Sequence, residues 1–107
     1  STVDVTGTTQ ALAVNTRYIA DNAGLVTMTL PSTAALCDEI DIIGKGAGGW
    51  LIAQNAGQTV HFGALDTTTG AGGSLAAILR YDCVEITCIT ANTDFIVTSA
   101  LGNLTVV

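Results

Sequence analysis

The chain contains few charged residues, few aromatic residues and one proline. Charged side chains make up 11% of its 107 residues, and aromatic side chains make up 5%. Only three residues are basic against nine acidic ones, which gives a formal net charge of −6. Because binding to a row of phosphates requires several cations, this balance argues against nucleic acid as a partner.

The sequence also lacks long hydrophobic runs. No run approaches the roughly 18 apolar residues of a membrane-spanning helix, so we expect no membrane insertion. The first residues, STVDVTGTTQ, contain neither the basic nor the apolar region of a signal peptide.

Metal-binding and disulfide patterns are missing as well. Cys37, Cys83 and Cys88 form no CxxC pair, and His61 is the one possible nitrogen ligand, so we expect no metal site. Cys83 and Cys88 are five residues apart on one predicted strand, so they point to opposite faces and cannot form a disulfide. We interpret all three as buried thiols of a protein made in a reducing cytoplasm. The remaining option for His61 is a position near the threefold axis of a trimer, where three imidazoles would converge on a metal ion.

What the chain has in abundance is small and β-branched apolar residues. Hydrophobic residues make up 49% of the sequence, which is high for a protein with so little charge. Such a chain either exposes apolar patches or covers them with further copies of itself, and we expect the second. Its length of 107 residues predicts a single domain, residues 1–107.

Strand patterns recur along the whole chain. Leu25–Leu30 alternates apolar residues with threonine, which is typical of a half-buried strand that Pro31 ends. In Glu39–Ile42 we expect both isoleucines to point inward and both carboxylates outward. Tyr81–Ala91 is the longest strand candidate and is apolar on both faces, so it should be central in its sheet. Residues 31–38 predict one helical turn, the only helix expected.

A short motif occurs three times. IADNAG at 19–24 recurs as IAQNAG at 52–57, and ITANTD at 89–94 is a looser copy. We interpret the copies as three similar β-hairpins, one of them joining strands 50–54 and 58–62, rather than as repeats of a solenoid. With roughly eight to ten short strands, they predict an all-β, antiparallel β-sandwich of jelly-roll-like type.

Two glycine-containing loops stand out. GKGAGG at 44–49 satisfies GxGxxG and follows a predicted strand. A dinucleotide site needs a helix after the glycines, whereas Trp50-Leu51-Ile52 is typical of a strand, so we expect a tight flexible loop and no cofactor. The connection 64–74 contains three threonines and three glycines, which predicts a mobile surface loop.

The titratable residues form no clear catalytic pattern. Glu39 and Asp41 are predicted to lie about 7 Å apart on one strand face, near the carboxylate spacing of glycosidases. Nothing predicts the dry pocket that would raise the pKa of one of them, so a solvated strand edge is the simpler interpretation, with loose Ca²⁺ contact as another option. His61 has no Ser or Cys partner with an orienting acid in any recognised spacing, so no catalytic residue is predicted.

Several longer runs resemble one protein family. They are residues 30–63, 67–75, 80–99 and 102–107, and their most specific parts are GAGGW, IAQNAGQTVHFG, RYDC and TANTDF. Over about residues 9–107 the chain resembles the distal C-terminal domain of bacteriophage tail-fibre and related trimeric fibre proteins. One departure is Cys37, where a small turn residue such as Gly is expected.

This resemblance implies a β-sandwich-like head that assembles as a homotrimer at the tip of a fibre, with residues 1–8 as a connection to an upstream shaft. The leading function is non-enzymatic recognition of the host cell surface, with a glycan as receptor. The alternatives are a trimerisation and folding cap with no ligand of its own, and a polysaccharide depolymerase acting through Glu39 and Asp41. The protein would belong to the virion, made in the host cytoplasm, or to an extracellular bacterial surface.

The resemblance carries no fixed binding motif, so receptor contacts are predicted from the loops 44–49 and 64–74 and from polar strand faces. Trp50, Tyr18 and Tyr81 are the residues able to stack on a sugar, although a lone Trp in such a chain is usually in the core. The predicted contact residues are Lys45, Gly46, Trp50, Asp66, Thr67, Thr68 and Thr69.

Overall fold

Twelve β-strands and no helix make up the fold, and the computed structural model describes every residue from Ser1 to Val107. The chain therefore has no helix of the length and apolarity that a membrane crossing requires. In chain order the strands are β1 (Thr2–Val5), β2 (Thr9–Ala11), β3 (Thr16–Ala20), β4 (Val26–Thr29), β5 (Glu39–Gly44), β6 (Trp50–Ala53), β7 (Thr59–Phe62), β8 (Leu65–Asp66), β9 (Ser74–Ala77), β10 (Cys83–Thr90), β11 (Asp94–Leu101) and β12 (Leu104–Val106).

The strands form two sheets. One has seven strands in the order β1-β3-β5-β10-β11-β7-β8, and the other has five in the order β12-β9-β6-β4-β2. The first six strands alternate between the sheets, so β1, β3 and β5 are parallel neighbours in one sheet and β2, β4 and β6 in the other. The chain thus winds three times around the core before β7 to β12 complete both sheets.

The predicted all-β class is confirmed, but the antiparallel arrangement is wrong. Five strand pairings are parallel, because β7 also runs parallel to β11, and five are antiparallel. Both sheets are therefore mixed, whereas a jelly roll consists of antiparallel strands. Apolar–polar alternation reports which face of a strand is buried and not the direction of its neighbour, so the sequence pattern could not show this.

The motif at 19–24, 52–57 and 89–94 explains why an antiparallel arrangement was predicted. Its first copy links β3 to β4 and its second links β6 to β7, so both carry the chain from one sheet to the other. Only the third copy forms a hairpin, between β10 and β11. The predicted hairpin joining strands 50–54 and 58–62 is therefore wrong. Asn and Gly permit a sharp reversal in a hairpin and in a crossing between sheets alike, so turn chemistry does not separate the two.

The hydrophobic core lies between the two sheets in a sandwich-like arrangement. Eighteen buried apolar residues, drawn from strands of both sheets and from their connections, form one cluster. β10 is the central strand of its sheet, as predicted, and directs Val84, Ile86 and Cys88 into the core. On β5, Ile40 and Ile42 point inward, which confirms the predicted face.

Residues 31–38 form an irregular loop and not the predicted helical turn. The side chain of Asp38 accepts a hydrogen bond from the Ala35 N–H at 2.9 Å, and the backbone reverses at Cys37, whose φ is +74°. Glycine adopts such a conformation more readily than other residues, and this is the position where the resemblance predicts a small residue. Cys37 is exposed and Cys83 is partly exposed, so the expectation of three buried thiols is met by Cys88 alone.

β1 forms one edge of the seven-stranded sheet, and its last residue, Val5, is buried in the core. Residues 2–5 are therefore part of the folded domain. The connection from residues 1–8 to an upstream shaft stays a prediction.

Candidate ligand-binding face

The glycine-rich loop 44–49 is a packing element between β5 and β6. Gly46 and Gly48 lie against the backbone of Asn22 and Gly24, where an added Cβ would come within 2.2 and 1.9 Å. The close approach of two loops requires these glycines, which confirms a tight loop, while its flexibility stays a prediction. Gly46 is buried. A receptor cannot reach a buried residue, so the prediction that Gly46 contacts the receptor is wrong.

The aromatic candidates lie in different environments. Trp50 is 0% exposed, and its Nε1 donates a hydrogen bond to the Asp82 carbonyl at 2.9 Å. A sugar cannot reach a buried ring, so the prediction that Trp50 contacts a receptor is wrong. Tyr18 is also buried, whereas Tyr81 is exposed. Of the three, Tyr81 alone is available for stacking on a sugar.

The loop 64–74 is held in place by a buried amide. Thr67 is buried, and its hydroxyl donates to Oε1 of Gln54. The Nε2 group of Gln54 donates in turn to the carbonyls of Thr68 and Gly70, each at 3.0 Å. Composition predicted a mobile loop, but these bonds attach it to the connection between β6 and β7. Because Thr67 is buried, its predicted role as a receptor contact is also wrong.

The remaining predicted contacts, Lys45, Asp66, Thr68 and Thr69, are exposed. They do not form one site, since Lys45 follows β5 and the others lie on or beside β8, four strands away in the same sheet. With about 4.8 Å between neighbouring strands, the two groups are about 19 Å apart. A small ligand could not contact both groups.

His61 lies on β7 between two carboxylates. Its Nδ1 is 2.6 Å from Oδ1 of Asp66, and its Nε2 is 3.1 Å from Oδ1 of Asp94. The hydrogen bond to Asp66 is the main cause that raises the pKa of His61; partial burial opposes it and Asp94 adds to it. Both ring nitrogens are engaged, so neither is free to face a threefold axis as the metal option requires. The chain has no group of three His, Cys, Asp or Glu side chains placed to hold a metal ion.

Sequence reasoning missed the two acids beside His61. The two-residue hairpin loop Gly63-Ala64 places Asp66 opposite His61. Gly63 in this loop has a φ of +61°. A two-residue loop that starts with glycine is a strong hairpin signal and would have placed Asp66 opposite His61. Asp94 is a different case, because the parallel pairing of β7 with β11 brings it there and no local pattern shows that pairing.

The exposed face of the seven-stranded sheet carries a shallow groove of about 210 Å³. Its floor is a row of apolar side chains on three adjacent strands. Ile43 of β5 is opposite Cys83 of β10, and Cys83 is opposite Leu101 of β11. We call this feature the apolar groove.

A charged row borders the apolar groove. Arg17, Asp41 and Glu85 occupy adjacent register positions on β3, β5 and β10. Arg17 Nε is 3.5 Å from Oδ2 of Asp41, and both side chains remain in contact with solvent. Asp41 therefore has a cation on one side and the Glu85 carboxylate on the other. One negative charge of this row is left without a partner.

A second depression, of about 350 Å³, adjoins this row, and all seven of its lining residues are polar or charged. This polar depression shares Arg17 and Asp41 with the apolar groove and adds Glu39, Asn15 and Thr16. The Oδ1 atom of Asn15 accepts the Glu39 N–H at 3.1 Å, which fixes the position of that amide. Glu39 and Asp41 share one face, as predicted, but Asp41 is ion-paired and Glu39 is exposed.

The two features form one concave surface with an apolar part and a polar part. Ligand sites combine apolar walls with a few placed polar groups in this way, and the polar groups fix the orientation of the ligand. The sequence matches no protein-family model and no curated protein.

Proposed function

We propose that this chain is a non-enzymatic binding domain that recognises a cell-surface glycan on the exposed face of its seven-stranded sheet. The observation that carries the proposal is the polar depression of about 350 Å³ beside the apolar groove of about 210 Å³. A sugar presents hydroxyl groups and C–H faces side by side, so a ligand of this class suits both parts of the surface.

The residues of the surface have distinct roles in this proposal. The guanidinium of Arg17 donates hydrogen bonds to sugar oxygens, and the carboxylates of Glu39 and Asp41 accept them from sugar hydroxyls. Hydrogen bonds to charged groups contribute about 1.5–3 kcal/mol each, but this surface is open to water, so we expect values at the lower end.

In the same proposal the chain is the tip domain of a trimeric fibre of the bacteriophage tail-fibre type, carried on the virion. The support is the resemblance of residues 30–63 and 80–99 to that family, together with a shallow, solvent-open surface suited to weak individual contacts. Three copies at a fibre tip would convert weak contacts into strong attachment through their high effective concentration.

A panel of bacterial surface polysaccharides tests the glycan proposal. We expect the wild-type domain to bind at least one of them, and Arg17→Gln to weaken that binding about tenfold. Thr27→Gln, on the outer face of the other sheet, is the matched control and should bind normally. Calorimetry measures both. If the wild-type trimer binds no member of the panel, the proposal is wrong, and if it releases oligosaccharides, a release lost in Glu39→Gln, the depolymerase alternative replaces it.

A second candidate is a trimerisation and folding cap with no ligand of its own. It is favoured by the five-stranded sheet, whose strands contain no charged residue. On a chain with a net charge of −6, copies repel one another least across an uncharged face. In this case Thr27→Lys should block fibre assembly, and Arg17→Gln should leave host range unchanged. The outer row of this face consists of Thr9, Thr27, Leu51, Ala76 and Thr105.

A further inference from the structure

The loop 78–81, which connects β9 to β10, exposes much apolar surface for its length. Ile78, Leu79 and Tyr81 are 54%, 70% and 63% exposed. The guanidinium carbon of Arg80 is 5.0 Å from the centroid of the Tyr81 ring. None of the ion pairs of the chain includes Arg80. Its Nε donates a hydrogen bond to the Lys45 carbonyl at 3.0 Å. The loop therefore presents apolar side chains together with a positive charge that has no carboxylate partner.

Asp82 anchors the backbone of this loop. Its Oδ2 accepts the backbone N–H groups of Ile78 and Leu79, each at 3.0 Å, and its carbonyl accepts Nε1 of Trp50. Tyr81 is held at a φ of +73°, a left-handed conformation that is unfavourable for an aromatic residue. A loop held in this way loses little conformational entropy when a partner covers it.

We propose that the loop 78–81 docks into the apolar groove of a neighbouring copy and that its Tyr81 and Arg80 complete the glycan site there. This inference rests on the proposed glycan-binding function. The loop and the groove adjoin in one chain, since Sγ of Cys83 in the groove donates to the Tyr81 carbonyl at 3.2 Å. A contact in which each copy gives its loop to one neighbour and receives a loop from another is heterologous, and heterologous contacts form a closed ring when their rotations complete a full turn. A ring of three copies is the homotrimer of the proposal.

Charge complementarity identifies a second copy as the occupant of the groove. The charged row beside the groove holds Asp41 and Glu85 with only Arg17 to balance them, and Arg80 of a neighbour supplies the missing positive charge. Leu79 of the same neighbour packs against the apolar floor of the groove. Over the rest of the surface, the net charge of −6 makes copies of the chain repel one another.

The polar depression lacks an apolar surface, and a neighbour docked in the groove would supply one. None of its seven lining residues is apolar, so by itself it offers no surface to the C–H face of a sugar. An aromatic ring supplies such a surface, and a nearby guanidinium adds hydrogen-bond donors. Because groove and depression share Arg17 and Asp41, a loop docked in the groove lies beside the depression.

The solution mass of the domain, measured by light scattering, tests the contact. We expect a trimer for the wild type, a monomer for Leu79→Asp, and a trimer for the control Leu36→Asp, which alters an exposed leucine outside this loop. Arg80→Glu should also dissociate the trimer, and adding Glu85→Arg should restore it. Circular dichroism checks that each variant is folded. A monomeric wild type, or a folded Leu79→Asp variant that stays trimeric, overturns the inference.

A mixing experiment tests the composite site. Tyr81→Ala and Arg17→Gln chains should each bind the polysaccharide about tenfold more weakly than the wild type when assembled alone. When the two are unfolded and refolded together, a site shared between copies regains Arg17 from one chain and Tyr81 from its neighbour in about a quarter of all sites. Calorimetry counts these recovered sites.

The possible failures are distinguishable. If co-refolding recovers no binding, the site lies within one copy, which overturns the inference and leaves the glycan proposal standing. A trimer that dissociates in Leu79→Asp but binds no polysaccharide overturns the glycan proposal and, with it, the composite site.

Discussion

The inner faces of the two sheets are both apolar, whereas their outer faces differ in charge. Both contribute apolar residues to one core, yet the strands of the five-stranded sheet carry no charge at all. The strands of the seven-stranded sheet hold most of the charged residues and the only histidine. The fold therefore depends on a core that both sheets share, whereas the charge that distinguishes the sheets lies on the outer face of one of them. The charged residues of these strands are Asp4, Arg17, Glu39, Asp41, Asp66, Glu85 and Asp94.

The charged face also contains two like charges in contact positions, which the uncharged face does not. Asp41 and Glu85 are directly opposite on antiparallel strands, an arrangement in which like charges destabilise a sheet. Threonine, alanine and leucine occupy the matching positions on the five-stranded sheet and have no such conflict. Natural proteins retain local conflicts of this kind at functional sites, which agrees with a ligand surface on the charged face.

The first prediction tests whether the interiors are equivalent. Ile52 of β6 and Ile86 of β10 are both buried and central in their sheets. Ile52→Ala and Ile86→Ala should each lower the free energy of unfolding by about 2–5 kcal/mol, because each leaves a cavity in a shared core. Urea unfolding measures both, and Thr105→Ala is the exposed control. A large loss in one variant and almost none in the other would show that the sheets do not share a core.

The second prediction concerns the crossing from β5 to β6, where the chain passes from the charged sheet to the uncharged one. Gly48→Ala places a Cβ 1.9 Å from the carbonyl oxygen of Gly24. We expect a loss of about 1–3 kcal/mol in the free energy of unfolding, because backbone must move. Gly72→Ala is the matched control, since nothing lies within 4 Å of its added Cβ. Equal stability of the two variants would contradict the close packing.

The third prediction concerns pH and applies to the charged sheet alone. The hydrogen bond to Asp66 raises the pKa of His61 in the folded protein above its ordinary value of 6.5. Protonated His61 therefore stabilises the fold; this contribution is complete below pH 6.5 and is lost as the pH rises through the raised pKa. Thermal unfolding at pH values below and above 6.5 measures it, because the raised pKa of His61 lies above that value. His61→Gln should remove this dependence, and an unchanged pH profile in that variant would refute the assignment.

The fourth and smallest prediction concerns the charged row. Arg17→Gln should destabilise the fold by about 0.2–1 kcal/mol, because an exposed pair contributes little. Glu85→Gln should stabilise it by a similar amount, since it removes the like charge opposite Asp41. Urea unfolding at low and high salt measures both effects, which should shrink as salt screens the charges. Stabilisation by Arg17→Gln would show that the Arg17–Asp41 pair does not stabilise the fold, and a loss of stability in Glu85→Gln would show that Asp41 and Glu85 do not repel each other in the folded protein.

Much of the fold followed from local patterns. The inward direction of Ile40 and Ile42 and the central position of β10 were predicted correctly, because each depends on alternation or on apolar length within one strand. The candidate site was predicted less well. Lys45 and Asp66 were correctly placed on the surface, but Trp50 is buried, and the face with Arg17 and Glu85 was not singled out.

The all-β class and the buried side of several strands can be derived from the amino-acid sequence, since alternation along a strand records its own two faces. Which strands are neighbours is visible only in the folded protein. The parallel winding of β1 to β6, the approach of Asp94 to His61 and the row of Arg17, Asp41 and Glu85 all join residues that are distant in the chain. The physical reason is that strand pairing is set by how two complete sheets close over one core, and no single segment carries that information.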